Sequence, residues 1–396
     1  MIDDIINATT RATCCCHELA EALAYAYFGA KYDIRMYAGR KCIKTGVYLL
    51  IIGDSTRSRK TDSRNFIRDL FSLVSMPITS KEGMWDELAD NHHRIFYSDE
   101  FSAMLKRFSS DRGQDGLMQQ MTEIWSMPEG DLYPPRQRTN TVLPVTDGKC
   151  TFVGTTTFSG FENTYHDEMN EGGFFYRFML VLASNAPHTR RGYYVGNNAN
   201  NVDAIKNKID LTANMKYIVE YDQSVIDVIE TLYVTSSDDS RVDRIFDHVD
   251  RFIMISAVDR YIDSHPAVSV DDVRVTATTR DLERAFEIVK RSFDDWQKLM
   301  KNATRDELLT KIINKLDEIP DNDFPIRAYA LRSHGFKAGL LKDFSDRIKS
   351  LSLVSKYSQI EYKNPATGRV SLMICNASSS EVCESCTFSP GCRCEV

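Results

Sequence analysis

A lysine and a threonine side by side, Lys60-Thr61, follow an apolar run from Val47 to Ile52 that stops at Gly53 and gives way to a short polar loop. Apolar residues at helical spacing come next, at Phe66, Ile67, Leu70 and Phe71. Strand, small-residue loop, Lys-Thr and helix is the order that holds a phosphate. N–H groups of the turn and the positive helix N-terminus take the oxygens. In that arrangement Gly53, Asp54, Ser55, Thr56, Arg57, Ser58 and Arg59 form the cradle. Lys60 adds a point charge at the β/γ-phosphates, and the Thr61 hydroxyl can ligate Mg²⁺. Ser58-Arg59 stands where a second glycine belongs, and the stretch from Gly53 to Lys60 is one residue longer than usual. The plainer alternative is a polar strand-to-helix loop with a solvated lysine.

Two acids offer the complementary chemistry. The strand-like run Ile95-Phe96-Tyr97-Ser98 ends in Asp99-Glu100. In a nucleotide site Asp99 holds Mg²⁺ and Glu100 orients and deprotonates the attacking water. Such acids also favour any helix N-terminus. A later strand, Cys150 to Gly154, ends in Thr155-Thr156-Thr157, which can place a hydroxyl between the loop and the acids or simply cap itself. Arg177 precedes one more apolar strand in GGFFYRFMLVLAS. It is either a surface charge or a guanidinium reaching a neighbouring subunit's γ-phosphate.

Basic residues cluster in two places. YPPRQRTNTVLPVTDGKC (133–150) reads as one arm and the turn of a hairpin, flanked by Arg136, Arg138 and Lys149. Between Arg327 and Lys349 six Lys/Arg, including Arg332, Lys337, Lys342 and Arg347, face Asp343 and Asp346. A local +4 (six minus two) in a chain of net charge −7 is where duplex backbone could dock, or a protein partner. Five of the ten cysteines fall in the last 22 residues. Cys383, Cys386, Cys392 and Cys394 can make a Zn²⁺ site, with Cys375 a possible substitute, or belong to a flexible reduced tail.

The elements that must position these groups follow from periodicity and composition. Residues 1–45 read as helical, and 224–300 as two or three helices with starts near Ser269 and Thr279. Helix, helix-turn-helix and the hairpin QIEYKNPATGRVSLMIC make a winged-helix pattern over 301–376. With 42% hydrophobic and 27% charged residues, the composition is that of a soluble globular protein. No stretch approaches the ~18–20 apolar residues of a membrane span. MIDDIINATTRAT lacks the regions of a signal peptide, so a cytoplasmic protein with no membrane partner is expected.

Taken in order, GDSTRSRKT, IFYSDEF, the basic hairpin, CTFVGTTT, GGFFYRFMLV, SVDDVRVTATTRDLERAFEIVKRSF and the winged helix resemble AAA+ ATPases. The order is similar to that of two such families, the primase-associated helicase-like family of phages and plasmids and the minichromosome maintenance (MCM) helicases. The resemblance implies a mixed α/β P-loop core over 46–200 with a hairpin before sensor 1. An N-terminal segment (1–45) packs on it, and a helical lid (201–300), a winged helix (301–376) and a Cys-rich tail (377–396) follow. It implies Lys60 and Thr61 as Walker A, Asp99 and Glu100 as Walker B, and Thr156 as sensor 1, where MCM proteins place Asn. Arg177 would be the arginine finger, and Arg251 sensor 2 with Arg244 behind it. ATP and Mg²⁺, DNA as partner, a homo-oligomer of hexameric type, and a primase or initiator are implied with them. The expected function is a replicative-helicase-like DNA translocase of a mobile element. The alternative is a weakly hydrolysing DNA-binding initiator or regulator.

Overall fold

The computed structural model describes residues 1–38, 41–54, 57–78, 81–91, 93–108, 115–126, 132–133, 145–165, 173–185, 199–235, 240–265, 272–303, 315–319, 326–327, 357–363 and 370–376. The chain divides into two units, Met1–Lys298 and Leu299–Val396. Among the described residues no helix is long and apolar enough to cross a membrane.

The first unit opens with two helices, Ile2–Thr13 (α1) and His17–Lys31 (α2). Every residue from Leu19 to Ala30 is buried, as expected of a helix that is apolar nearly all round. Asp33–Ala38 (β1) and Lys41–Lys44 (β2) pair antiparallel. Tyr48–Ile52 (β3) then leads through the loop into Lys60–Leu70 (α3). Ser75–Pro77 (β4), Lys81–Asp90 (α4) and His93–Ser98 (β5) follow, then Phe101–Phe108 (α5) and Asp115–Trp125 (α6). Leu132–Tyr133 (β6) pairs antiparallel with Val145–Thr146 (β7). Lys149–Thr156 (β8), Phe158–Glu162 (α7) and Phe178–Leu182 (β9) come next. The unit continues with Ala199–Thr212 (α8), Lys216–Tyr221 (β10), Gln223–Thr235 (α9) and Ser240–Ser264 (α10), then Asp272–Ala277 (β11) and Thr279–Ala303 (α11).

Five of these strands form one parallel sheet in the order β4-β5-β8-β3-β9. Alternation along its strands separates two faces. Leu49, Ile51, Val153, Met179 and Val181 join the core built on α1, α2 and α3. Tyr48, Phe152 and Phe178 turn the other way into an aromatic cluster with Phe101 and Trp125. The outer edge of β9 is sealed by α11. Leu180 N–H donates to Ser292 Oγ (2.7 Å), Leu182 N–H to Asp295 Oδ2 (3.2 Å), and Trp296 Nε1–H to Phe178 O (2.9 Å). An edge satisfied by side chains cannot recruit another strand.

A second sheet runs β11-β10-β1-β2, so strands from both ends of the unit share it. Two expectations are corrected here. Residues 1–45 are not all helix, because Tyr32 is followed by a strand pair whose alternation is too short to show against the long apolar helix. Residues 201–300 are not a purely helical lid either. KYIVEY and DVRVTA have the period-2 burial of strands; KYIVEY pairs with β1 of the N-terminal segment and DVRVTA pairs with KYIVEY. The helix start expected at Thr279 is present, with Thr278 N–H and Oγ1 both donating to Asp281 Oδ2 (2.8 and 3.0 Å) in a capping arrangement, whereas Ser269 lies outside the described residues.

In the second unit Ile326–Arg327 (β12), Tyr357–Lys363 (β13) and Val370–Asn376 (β14) form an antiparallel sheet ordered β12-β14-β13. The expected terminal hairpin is therefore present. The helices expected of a winged helix, with Arg332, Lys337, Lys342 and Arg347, lie outside the described residues. So do Cys383, Cys386, Cys392 and Cys394.

Candidate nucleotide site

β3 delivers the chain to the loop at the C-terminal edge of the parallel sheet, where α/β folds place their ligands. Gly53 is required there. A Cβ would lie 2.7 Å from Ala183 O and 3.0 Å from Ser58 Cβ. Its N–H donates to Thr156 O (3.2 Å), tying the loop strand to β8. Ser58 Oγ donates back to Asp54 O (2.6 Å), and Asn185 Nδ2 holds Asp54 Oδ2 (2.6 Å). Ser55 and Thr56 lie outside the described residues. Arg59 immediately before α3 has φ 56° and ψ 25°. It thus takes the left-handed conformation for which the usual loop keeps a glycine, at about 1–2 kcal/mol for an L side chain. No side chain caps α3, so its first N–H groups face the loop.

Lys60 turns inward across the strand ends. Its Nζ donates to Gly53 O and to Thr156 O (2.9 Å). Burial lowers its pKa from the ordinary lysine value, against the nearby charges of Asp54 and Glu100. An arriving phosphate would add countercharge that offsets the hydration Lys60 loses on burial. Thr61, next on α3, is exposed.

The acids reach the same edge. β5 pairs with β8, Ser98 opposite Gly154, and β8 pairs with β3, Thr156 opposite Ile52. Asp99 and Glu100 follow Ser98 and are exposed. The acidic strand is therefore not the immediate neighbour of the loop strand. The threonine strand stands between them, leaving two strand spacings, about 10 Å, for a ligand. Thr155 Oγ1 donates to Asp99 O (3.0 Å) and Ser102 Oγ to Glu100 Oε1 (3.0 Å), which fixes both acids on the sheet.

Thr156 Oγ1 is the most informative atom. It is buried and has no hydrogen-bond partner among the described residues. It lies with Thr157 Oγ1 and Ser102 Oγ around Gly160, where a Cβ would come within 2.8, 2.9 and 3.1 Å of the three oxygens. A buried hydroxyl without a partner is costly and calls for a hydrogen-bonding partner, a water molecule or a ligand atom.

One side chain of the site carried no sequence motif. Arg64 is buried on α3, stacks over Tyr97 with its Cζ 4.0 Å from the ring centroid, and donates from Nη1 to Asp99 Oδ1 (2.6 Å). Its only sequence signal is the i+4 spacing from Lys60, which puts it one turn along the same helix face.

Three expected site residues are placed elsewhere. Arg251 is not a sensor of this loop. It lines a cleft with Gly46 and Cys150, at the opposite ends of β3 and β8, roughly 20 Å of strand away. Arg177 precedes β9 at that same far end and is 4% exposed, with Nη1 donating to Gly173 O (2.8 Å). A finger must be offered to a neighbour, and this guanidinium is enclosed by its own chain. Arg244, half-buried on α10, pairs with Asp247 (2.9 Å).

Lys149 is not a DNA contact. It is buried, donates to Gly29 O (2.9 Å) and Tyr32 O (2.6 Å), and so caps the C-terminus of α2 with a cation. Burial brings its pKa down to about 7. The arms of the hairpin are β6 and β7, and the Asp147-Gly148 turn joins β7 to β8. Arg136 and Arg138, between the arms, lie outside the described residues.

Among the described residues no cluster of three or more His, Cys, Asp or Glu could hold a metal. Mg²⁺ held between one or two protein oxygens and substrate phosphates needs no such cluster. The sequence matches no protein-family model and no curated protein.

Proposed function

We propose that the chain binds a nucleoside triphosphate, ATP, in the Gly53–Lys60 loop and hydrolyses it, in the manner of the AAA+ ATPases it resembles. One observation carries this reading. The sheet order brings Lys60, Thr156 and the Asp99-Glu100 pair, drawn from three separate stretches of sequence, to one edge, with an unpartnered buried hydroxyl among them.

The geometry supports the following roles. The first N–H groups of α3 and Lys60 hold the phosphates. Thr61 and Asp99 are the oxygens available to Mg²⁺, which supplies charge neutralisation at the β/γ-phosphates when bound. Arg64 holds Asp99 by one carboxylate oxygen. Glu100, steadied by Ser102, takes a proton from water as that water attacks the γ-phosphorus. The bond to the β-phosphate oxygen breaks, and ADP and phosphate leave. Thr156 donates to the oxygens that gain charge as this happens.

The wider reading, a DNA translocase related to the primase-associated and MCM helicases, rests on motif order alone. Arg177 and Lys149, which would have tied the site to a ring and to a DNA strand, do neither. A DNA-stimulated ATPase assay on wild type and Glu100→Gln tests both levels. A translocase shows hydrolysis that DNA accelerates, and the variant binds ATP but loses about 10²–10⁴-fold in rate. An initiator or regulator of the same fold shows no acceleration.

A further inference from the structure

A second polar cleft opens at the other end of the parallel sheet, away from the nucleotide loop. It opens between β2, the starts of β3 and β8, the end of α6 and α10. At its centre the Arg251 guanidinium lies over the Trp125 ring, Cζ 3.8 Å from the centroid. Arg251 is 6% exposed and Trp125 7%. Arg251 spends Nη1 on Asp247 O (3.0 Å) and Nη2 on Trp125 O (2.9 Å), both backbone carbonyls. Its Nε–H and the Trp125 Nε1–H have no partner among the described residues, and neither has Nδ1 of His248, whose ring packs 5.1 Å from Trp125.

Charge decides what could join them. Arg177, Arg244 and Lys44 stand near Arg251, with Asp247 and Asp250 as the neighbouring acids. Asp247 pairs with Arg244, and Asp147, the next acid along, is engaged by Arg35 (2.7 Å) and Lys44 (2.6 Å). Burial lowers the pKa of both Arg177 and Arg251 to about 10, with Arg244 acting in the same direction on each and the acids, Asp247 for both and Asp250 for Arg251, acting against it. A water molecule could satisfy the N–H groups but would leave the cations Arg177, Arg244, Arg251 and Lys44 in excess over Asp147, Asp247 and Asp250. An anion answers both needs.

We propose that this cleft is a binding site for a small tetrahedral oxyanion, phosphate or sulfate, held by Arg251 Nε and Trp125 Nε1 and attracted by Lys44. The site is separate from the nucleotide loop and does not depend on the function proposed for that loop.

The test titrates inorganic phosphate into the full chain carrying Lys60→Ala, so that the loop lysine contributes nothing. Thermal unfolding and tryptophan fluorescence are followed, with chloride at equal ionic strength as reference. The Lys60→Ala chain should gain thermal stability and change its fluorescence saturably with phosphate, and with sulfate in parallel. Adding Trp125→Phe keeps the ring and deletes the donor, and should weaken binding about fivefold, the worth of one hydrogen bond of about 1 kcal/mol. Arg251→Gln should weaken it further. An equal phosphate shift with and without Trp125→Phe would place the anion elsewhere and overturn the assignment. Absence of any shift would overturn it too, leaving an ordered water as the occupant.

Discussion

Thr156 separates a catalytic from a structural reading at the level of one atom. Its hydroxyl is buried without a partner, so Thr156→Val removes an unsatisfied group at almost constant shape. Unfolding in urea should show the variant as stable as wild type or more stable by up to about 1 kcal/mol. ATP hydrolysis should nevertheless fall by one to two orders of magnitude. Loss of stability with unchanged hydrolysis would make Thr156 a packing residue only. Arg59 supplies a second check. Its left-handed backbone predicts that Arg59→Gly raises stability by about 1 kcal/mol, since its salt bridge to Asp62 is exposed and 3.5 Å long.

Lys149 gives a pH dependence whose sign can be worked out. Its folded pKa of about 7 lies below the ordinary lysine value near 10.4. Below pH 7 both states are protonated and the fold carries the full cost of a buried cation. Between pH 7 and about 10 the unfolded chain binds the extra proton, so stability rises with pH. Wild type should gain up to about 3 kcal/mol over Lys149→Met between pH 7 and 9.5, read from denaturant unfolding of both chains. Parallel pH profiles would show that Lys149 is not buried as placed.

At the scale of elements, the edge of β9 depends on α11 rather than on another strand. Ser292→Ala leaves the buried Leu180 N–H without an acceptor and should cost about 1–3 kcal/mol in thermal or chemical unfolding. A cost near zero would mean that the helix does not seal that edge. The elements that the sequence shows plainly are those whose pattern is local. The apolar run of β3, the acids after β5 and the threonines after β8 each sit at a strand end, as their residue types suggest. Sheet order is not local. That β8 separates β3 from β5 follows only from which faces the intervening helices cover. KYIVEY and DVRVTA escaped notice as strands because amphipathic helices surround them, and β1, the partner of KYIVEY, lies some 180 residues upstream of it. Arg177 and Arg251 failed as site residues for the same reason. Position along the chain fixed their neighbours in sequence, while burial at the far end of the strands fixed their contacts.

At the scale of the molecule, the first unit holds the proposed nucleotide site, the proposed oxyanion cleft and both larger sheets, and the second contains a three-stranded antiparallel sheet. The account stands or falls on the loop, and the most direct measurement is calorimetric titration of Mg²⁺-ATP into wild type and Lys60→Ala. Binding to wild type, weakened at least about tenfold by the loss of the charge-assisted lysine contact, is the predicted result. Equal affinity in the two chains, or none in wild type, would contradict it.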